Sequence, residues 1–227
     1  MNATLLLDRD ARCLLRNDGR VFDPALCAWT DRPPGELRTA ESIGVVDAMR
    51  WLACDASAKW RVPVGVIGPR DIDPVRYALA ESLGAALAGL RLPVLCGGRG
   101  GVMEAVCKGV RSAGGVAIGL LPEGDPALAN PYAGIVIATG IGEARNALIA
   151  RAAACLVAVG DSYGTLSEVA LGRQFGKRVI GLAGAADVGG VEHVDDVETA
   201  LQRVAEAMLG FCRPPSRGHG GKRGGAP

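Results

Sequence analysis

The chain divides by the rhythm of its apolar positions. From 62 to 212, short unbroken apolar runs alternate with stretches of helical spacing. The runs are VPVGVIG (62–68), LPVLCGG (92–98), VAIGLL (116–121), IVIAT (135–139), CLVAVG (155–160) and RVIGLAG (178–184). The helical stretches lie near 73–89, 100–113, 142–153, 164–176 and 195–209. A strand with no polar interruption is buried on both faces, and strands separated by helices are joined by right-handed crossovers. The pattern therefore predicts an α/β fold: a doubly wound, mostly parallel, Rossmann-like sheet in a three-layer arrangement. Residues 1–60 keep no such rhythm. ARCLLRNDGRVFD reads as two short strands around an Asn-Asp-Gly turn, a Pro-Pro-Gly break follows at 33–35, and ESIGVVDAMRWLA has helical spacing. Ile43, Val46, Met49, Arg50 and Leu52 would form its packed face. A piece this small sustains little core of its own, so it is expected to pack on the larger domain or on a second subunit. The organisation expected is an N-terminal extension over 1–60, a Rossmann-like domain over 61–212 and a disordered basic tail over 213–227, where no apolar residue offers an anchor.

Composition narrows this picture. Hydrophobic residues make up 49% of the chain but aromatics only 4%, so the interior is built from Ala, Val, Leu and Ile, which suits helix-covered sheets better than a β-sandwich. A net charge of +1 argues against a nucleic-acid face. The seven cysteines form no C-x-x-C pair, and Cys96 and Cys155 sit inside apolar runs as small hydrophobes, which points to a reducing cytoplasm. MNATLLLDRDARCLL breaks its apolar run with charges after three leucines, so neither a signal peptide nor a membrane span is expected there. With His193 and His219 the only histidines, no two-histidine metal centre can form.

Ligands of a doubly wound sheet bind beyond the carboxyl ends of its strands, so the turns there carry the candidate chemistry. Four of them are unusual. In GVIGPRD, Gly68 permits a tight turn, and Arg70 is either an anion partner or a surface arginine. In CGGRGGVMEAVCKG, the glycines Gly97, Gly98, Gly100 and Gly101 enter a helix through Met103 and Glu104; backbone N–H groups bare of side chains and a helix dipole suit phosphate or carboxylate. The spacing is neither G-x-G-x-x-G nor a P-loop, which disfavours an ordinary dinucleotide dehydrogenase or NTPase. In TGIGEARN, Arg145 and Asn146 open a helix; the arginine either clamps a phosphate or bridges to Glu143 or Asp161. In VAVGDSYGTLSE, Gly160, Asp161, Ser162, Tyr163 and Gly164 lead to Thr165 and Glu168, which fit the S/T-x-x-E capping box and also stand where phosphates bind. Capping and ligand binding are both open, and they are compatible.

In their order and spacing, GGRGGVMEAVCKG, TGIGEARN and GDSYGTLSEVALGRQFGKRVIGL resemble the LOG-type Rossmannoid family, often labelled lysine decarboxylase-like. The similarity is closest to its short bacterial nucleotide-binding branch and to the molybdenum cofactor carriers, and it spans roughly 62 to 185. The resemblance implies a phosphorylated small ligand, a nucleotide or the molybdenum cofactor, with no further cofactor required, and a homo-oligomer, dimer or tetramer. In members that hydrolyse cytokinin riboside monophosphates, the motif positions matching Arg145 and Glu168 are the catalytic pair, while those matching Gly164 and Thr165 hold phosphate. A carboxylate there would stabilise the oxocarbenium-like state of N-glycosidic cleavage, and the enzyme implied is a nucleoside 5′-monophosphate phosphoribohydrolase. Two positions depart from the family. Gly160-Asp161-Ser162 replaces a run of glycines, so Asp161 must turn away, pair with Arg145 or select another ligand; and Asn146 replaces the usual lysine, as in the carriers. Lysine decarboxylation itself needs a Schiff-base lysine at the strand carboxyl ends, and neither Lys108 nor Lys177 lies in such a turn.

Overall fold

The computed structural model describes residues 4–31, 39–55, 57, 58 and 60–210. The Pro-Pro-Gly break and the tail at 213–227 lie outside the described residues. Seven strands form one wholly parallel sheet: β6 (Val64–Ile67), β7 (Val94–Cys96), β8 (Ala117–Leu121), β9 (Ile135–Ala138), β10 (Cys155–Val159), β11 (Arg178–Leu182) and β12 (Val191–His193). Their order is β12-β11-β10-β6-β7-β8-β9. The chain thus winds outward from β6 in one direction and from β10 in the other, and the crevice between these two strands is the topological switch point.

All five residues of β10 are buried, with Cys155, Val157 and Val159 facing one layer and Leu156 and Ala158 the other. On the first face pack α2 (Pro74–Gly89), α3 (Val102–Ser112) and α6 (Val197–Met208); on the second pack α4 (Asn146–Ala152) and α5 (Tyr163–Gln174). Local signals set the ends of these helices. Asp73 caps α2 by accepting from the Arg76 amide at 2.8 Å ahead of Pro74, and Asp196 caps α6 by accepting from the Thr199 amide at 2.7 Å. No helix among the described residues is long and apolar enough to cross a membrane.

The N-terminal part builds a five-stranded antiparallel sheet in the order β4-β3-β2-β1-β5, from β1 (Leu5–Asp8), β2 (Cys13–Arg16), β3 (Val21–Asp23), β4 (Ala28–Thr30) and β5 (Glu41–Ile43). The hairpin at the Asn-Asp-Gly turn is β2–β3. A helix over the whole of ESIGVVDAMRWLA is corrected: Glu41–Ile43 is a strand paired with β1, Ile43 opposite Leu5, and α1 (Val45–Ala53) begins after Gly44. Met49 and Leu52 are buried as expected, but Arg50 is exposed and paired with Asp47 at 2.8 Å. Leu5, Leu7, Leu14 and Phe22 share one apolar cluster with Met49, Leu52 and the α6 residues Leu201 and Val204. The Trp29 indole N–H donates to the Leu209 carbonyl at 2.6 Å. The extension therefore packs on the helical layer of the parallel sheet.

Candidate functional site

Gly68 closes β6 and Gly160 closes β10, so the turns beyond them part at the switch point and leave a cleft of about 680 Å³ between them. The β6 turn can approach so closely because Gly68 has no side chain: a methyl there would lie 2.6 Å from both the Val159 carbonyl oxygen and Val102. Gly160 adopts φ +69°, a left-handed conformation that turns the chain into Asp161.

Ser162 is the N-cap of α5. Its hydroxyl accepts from the Thr165 amide at 3.1 Å and lies 2.9 Å from the Thr165 hydroxyl. The expected capping box at Thr165 and Glu168 is thereby corrected. The helix starts two residues before Thr165, at Tyr163, and Glu168 lies beyond the first turn with no backbone amide to cap. Its carboxylate instead accepts from Arg145 at 3.3 Å, and both side chains are buried. Burial pushes the Glu168 carboxyl up to about 7; the Arg145 guanidinium opposes that rise and Glu143 adds to it. Arg145 pairs with neither Glu143 nor Asp161, the partners of the bridging alternative, and its buried Nε has no hydrogen-bond acceptor among the described residues. It ends a short 3-10 turn at Gly142–Arg145, and its guanidinium occupies the space left by Gly97, where a methyl would come within 2.5 Å of Nη2 and 2.6 Å of the Met103 sulfur. Asn146 ties α4 to α5: its Nδ2 donates to the Ser167 hydroxyl at 2.9 Å, and that hydroxyl donates to the Gly164 carbonyl at 2.7 Å.

The cleft brings together Gly68, Arg70 and Gly97 with Met103, Arg145 and Asn146. It also gathers Asp161, Ser162 and Tyr163 with Gly164, Thr165 and Glu168. It does not include Gly98, Gly100, Gly101, Glu104 or Gly160. Three of these have packing reasons instead. Gly98, at φ +75°, abuts Gly119 of β8; a methyl at Gly101, at φ +68°, would collide with the Pro69 and Arg70 carbonyls; and Glu104 accepts from the Tyr77 hydroxyl at 3.1 Å. The first amide of α3, that of Val102, donates to the Pro69 carbonyl at 3.1 Å, so protein already occupies part of that helix N-terminus.

Sequence reasoning missed Pro69, Asp71 and Ser167 as lining residues, and Arg99 as the hub of the rim. Arg99 pairs with Glu123 and reaches Glu143 at 3.1 Å, while Glu143 also meets Arg70 at 3.6 Å. This chain of charges ties together the turns after β6, β7, β8 and β9. Nothing in the sequence marks it, since each partner is a residue type that ordinarily decorates a surface. Two arginines, Arg70 and Arg145, share the lining with Asp71, Glu143, Asp161 and Glu168, so the cradle has mixed charge rather than a uniformly positive one. Asp161 makes no side-chain hydrogen bond or ion pair among the described residues, and no Asx-turn forms there. Neither lysine of the sheet domain enters the cleft: Lys108 pairs with Glu81 at 2.9 Å and Lys177 donates to the Ala153 carbonyl at 2.6 Å.

The family model of the SLOG cluster4 family matches residues 61–208. An uncharacterised protein of Archaeoglobus fulgidus is 38% identical over 138 residues, 61% of this chain and 91% of its own length. The molybdenum cofactor binding protein of Rippkaea orientalis superposes with a TM-score of 0.60 at 32% identity, covering 64% of this chain and 97% of that one. The molybdenum cofactor carrier protein of Chlamydomonas reinhardtii gives 0.59 at 33% identity, covering 64% and 98%.

Proposed function

The chain belongs to the SLOG cluster4 family, and from that premise we propose that it binds a phosphorylated small ligand of nucleotide or pterin size in the cleft between β6 and β10. The observation that carries this reading is the buried Arg145–Glu168 pair on the cleft wall, beside the start of α5, whose first two amides, at Tyr163 and Gly164, have no hydrogen-bond partner among the described residues. In this reading the phosphate sits on those amides with Gly164 and Thr165, and Arg70 supplies charge from the rim. The orphaned Nε of Arg145 is a donor for which a ligand oxygen would supply the acceptor. About 680 Å³ is ample for either ligand. The molybdenum cofactor, carried as cargo, is the ligand favoured by the likeness to a molybdenum cofactor binding protein and a carrier protein at 32% and 33% identity and by Asn146 in place of lysine. Native mass spectrometry of freshly purified protein, with pterin fluorescence after oxidation, tests this. A retained pterin phosphate supports the carrier reading, and protein that neither retains one nor binds any nucleoside monophosphate refutes the binding role.

A second reading, hydrolysis of the N-glycosidic bond of a nucleoside 5′-monophosphate, is favoured by one observation. Glu168 caps no amide and lies buried 3.3 Å from the Arg145 guanidinium, and that burial pushes its carboxyl up to about 7. As carboxylate it would stabilise the developing positive charge on the ribose ring, water would add at the anomeric carbon, and the base would leave with a proton. Glu168→Ala should then abolish base release while ligand binding persists. No base released by the wild type from any of the common nucleotides rejects this reading alone. We also propose a homo-oligomer, dimer or tetramer. Ile149 and Ala150 of the alanine-rich α4 are buried against the sheet, whereas Leu148 is exposed, and Ile135, Ile137 and Ile141 are 47–51% exposed.

A further inference from the structure

Aromatic rings are scarce in this chain, and their placement is informative. Of nine, Phe22 stacks edge-on against Trp29 at 5.2 Å and tilts against Trp60 at 6.1 Å; Trp51, Tyr77 and Tyr132 pack on the main apolar cluster. Phe175 packs on the second cluster beneath the Arg151 guanidinium, 3.9 Å from its centroid, and Phe211 lies outside the described residues. Tyr163 differs from all of these. It is 94% exposed, lines the cleft, and is the first residue of α5. Neither helix formation nor packing calls for a ring there. A tyrosine at a helix start gains nothing from capping, since Ser162 performs that role, and a ring this exposed forgoes the burial that usually holds a large side chain.

We infer that Tyr163 is a stacking residue that makes the cleft select phosphorylated ligands bearing a planar heteroaromatic ring over those that carry only a sugar. The inference rests on the phosphate-binding reading above. With phosphate on the amides of Tyr163 and Gly164, the ring carried by the first of them would stand beside the base or pterin of the same ligand. Pro69 and Met103 line the same cleft and add apolar surface to it. Stacking of a heterocycle on a tyrosine is tolerant of which ring it is, so Tyr163 sets the class of ligand and leaves the identity of the ring to the polar lining.

The test is a calorimetric titration of wild type, Tyr163→Ala and Tyr163→Phe with adenosine 5′-monophosphate, neopterin monophosphate and ribose 5-phosphate. The exposure of Tyr163 makes both variants safe for folding. Wild type should bind at least one ring-bearing ligand more tightly than ribose 5-phosphate. Tyr163→Ala should weaken that ligand by about 5- to 150-fold and Tyr163→Phe should restore it, with ribose 5-phosphate unchanged in all three. The inference is overturned if Tyr163→Ala leaves ring-bearing ligands at wild-type affinity or weakens ribose 5-phosphate equally. It is also overturned, with phosphate binding intact, if wild type holds ribose 5-phosphate as tightly as the other two. If wild type binds none of the three, the phosphate reading and the inference fall together.

Discussion

The turn after β7 and the turn after β10 both lead from a parallel strand into a helix at the same edge of the sheet, and they are built for different purposes. The first is the louder in sequence, with four glycines in five residues, yet protein atoms fill the space around it: Gly97 accommodates Arg145, Gly98 lies on Gly119, and the Pro69 carbonyl takes the amide of Val102. The second has fewer glycines, and the amides of Tyr163 and Gly164, two consecutive residues that line the cleft, have no hydrogen-bond partner among the described residues. Glycine density thus reports how tightly backbones meet, whereas a helix start whose consecutive residues line an open cleft reports where a ligand can be received.

The largest effect should come from the packed turn. Gly101→Ala places a methyl against two carbonyl oxygens at a positive φ, and a loss of about 3 kcal/mol or more in urea denaturation is expected; Gly100→Ala, with only Glu104 near at 3.9 Å, should stay within about 0.5 kcal/mol of wild type. Equal losses for the two would break the packing account of this turn. Next in size is Arg145→Met, which leaves Glu168 buried without its cation. Denaturation at pH 8 should show a loss of about 3 kcal/mol, shrinking at pH 5 where Glu168 is already neutral. The sign in the wild type follows from the raised carboxyl: folding favours the protonated form, so the Glu168 contribution is complete below about 4.5, is lost as pH rises to about 7, and changes no further above that. A pH-independent loss in Arg145→Met would contradict the pairing. Smallest is Ser162→Ala, which removes the α5 cap and should cost about 1 kcal/mol, while Thr165→Ala should leave the cap in place. The reverse ranking would restore Thr165 as the cap.

The parallel sheet was readable because strands such as β6 and β10, buried on both faces, leave unbroken apolar runs. β12, three residues reading Val-Glu-His on the sheet edge, leaves none, and β5 was absorbed into a helical pattern because Ile43 fits a period of 3.6 as well as it fits a strand. At the site, the residue types were legible but their pairings were not. Thr165 reads as the cap because Glu168 follows it at the capping-box spacing, but a run of polar residues cannot say which hydroxyl meets which amide, and the cap is Ser162. The Arg145–Glu168 contact joins residues 23 positions apart through a space vacated by Gly97, and spacing alone does not encode it.

Amide chemical-shift mapping by NMR during titration with adenosine 5′-monophosphate or neopterin monophosphate tests the comparison most directly. The amides of Tyr163 and Gly164 should move with saturation, while those of Gly98, Gly100 and Gly101 stay nearly still. Saturable shifts centred on the β7 turn, or no shift at either turn with both ligands, would contradict the assignment of the ligand to the start of α5.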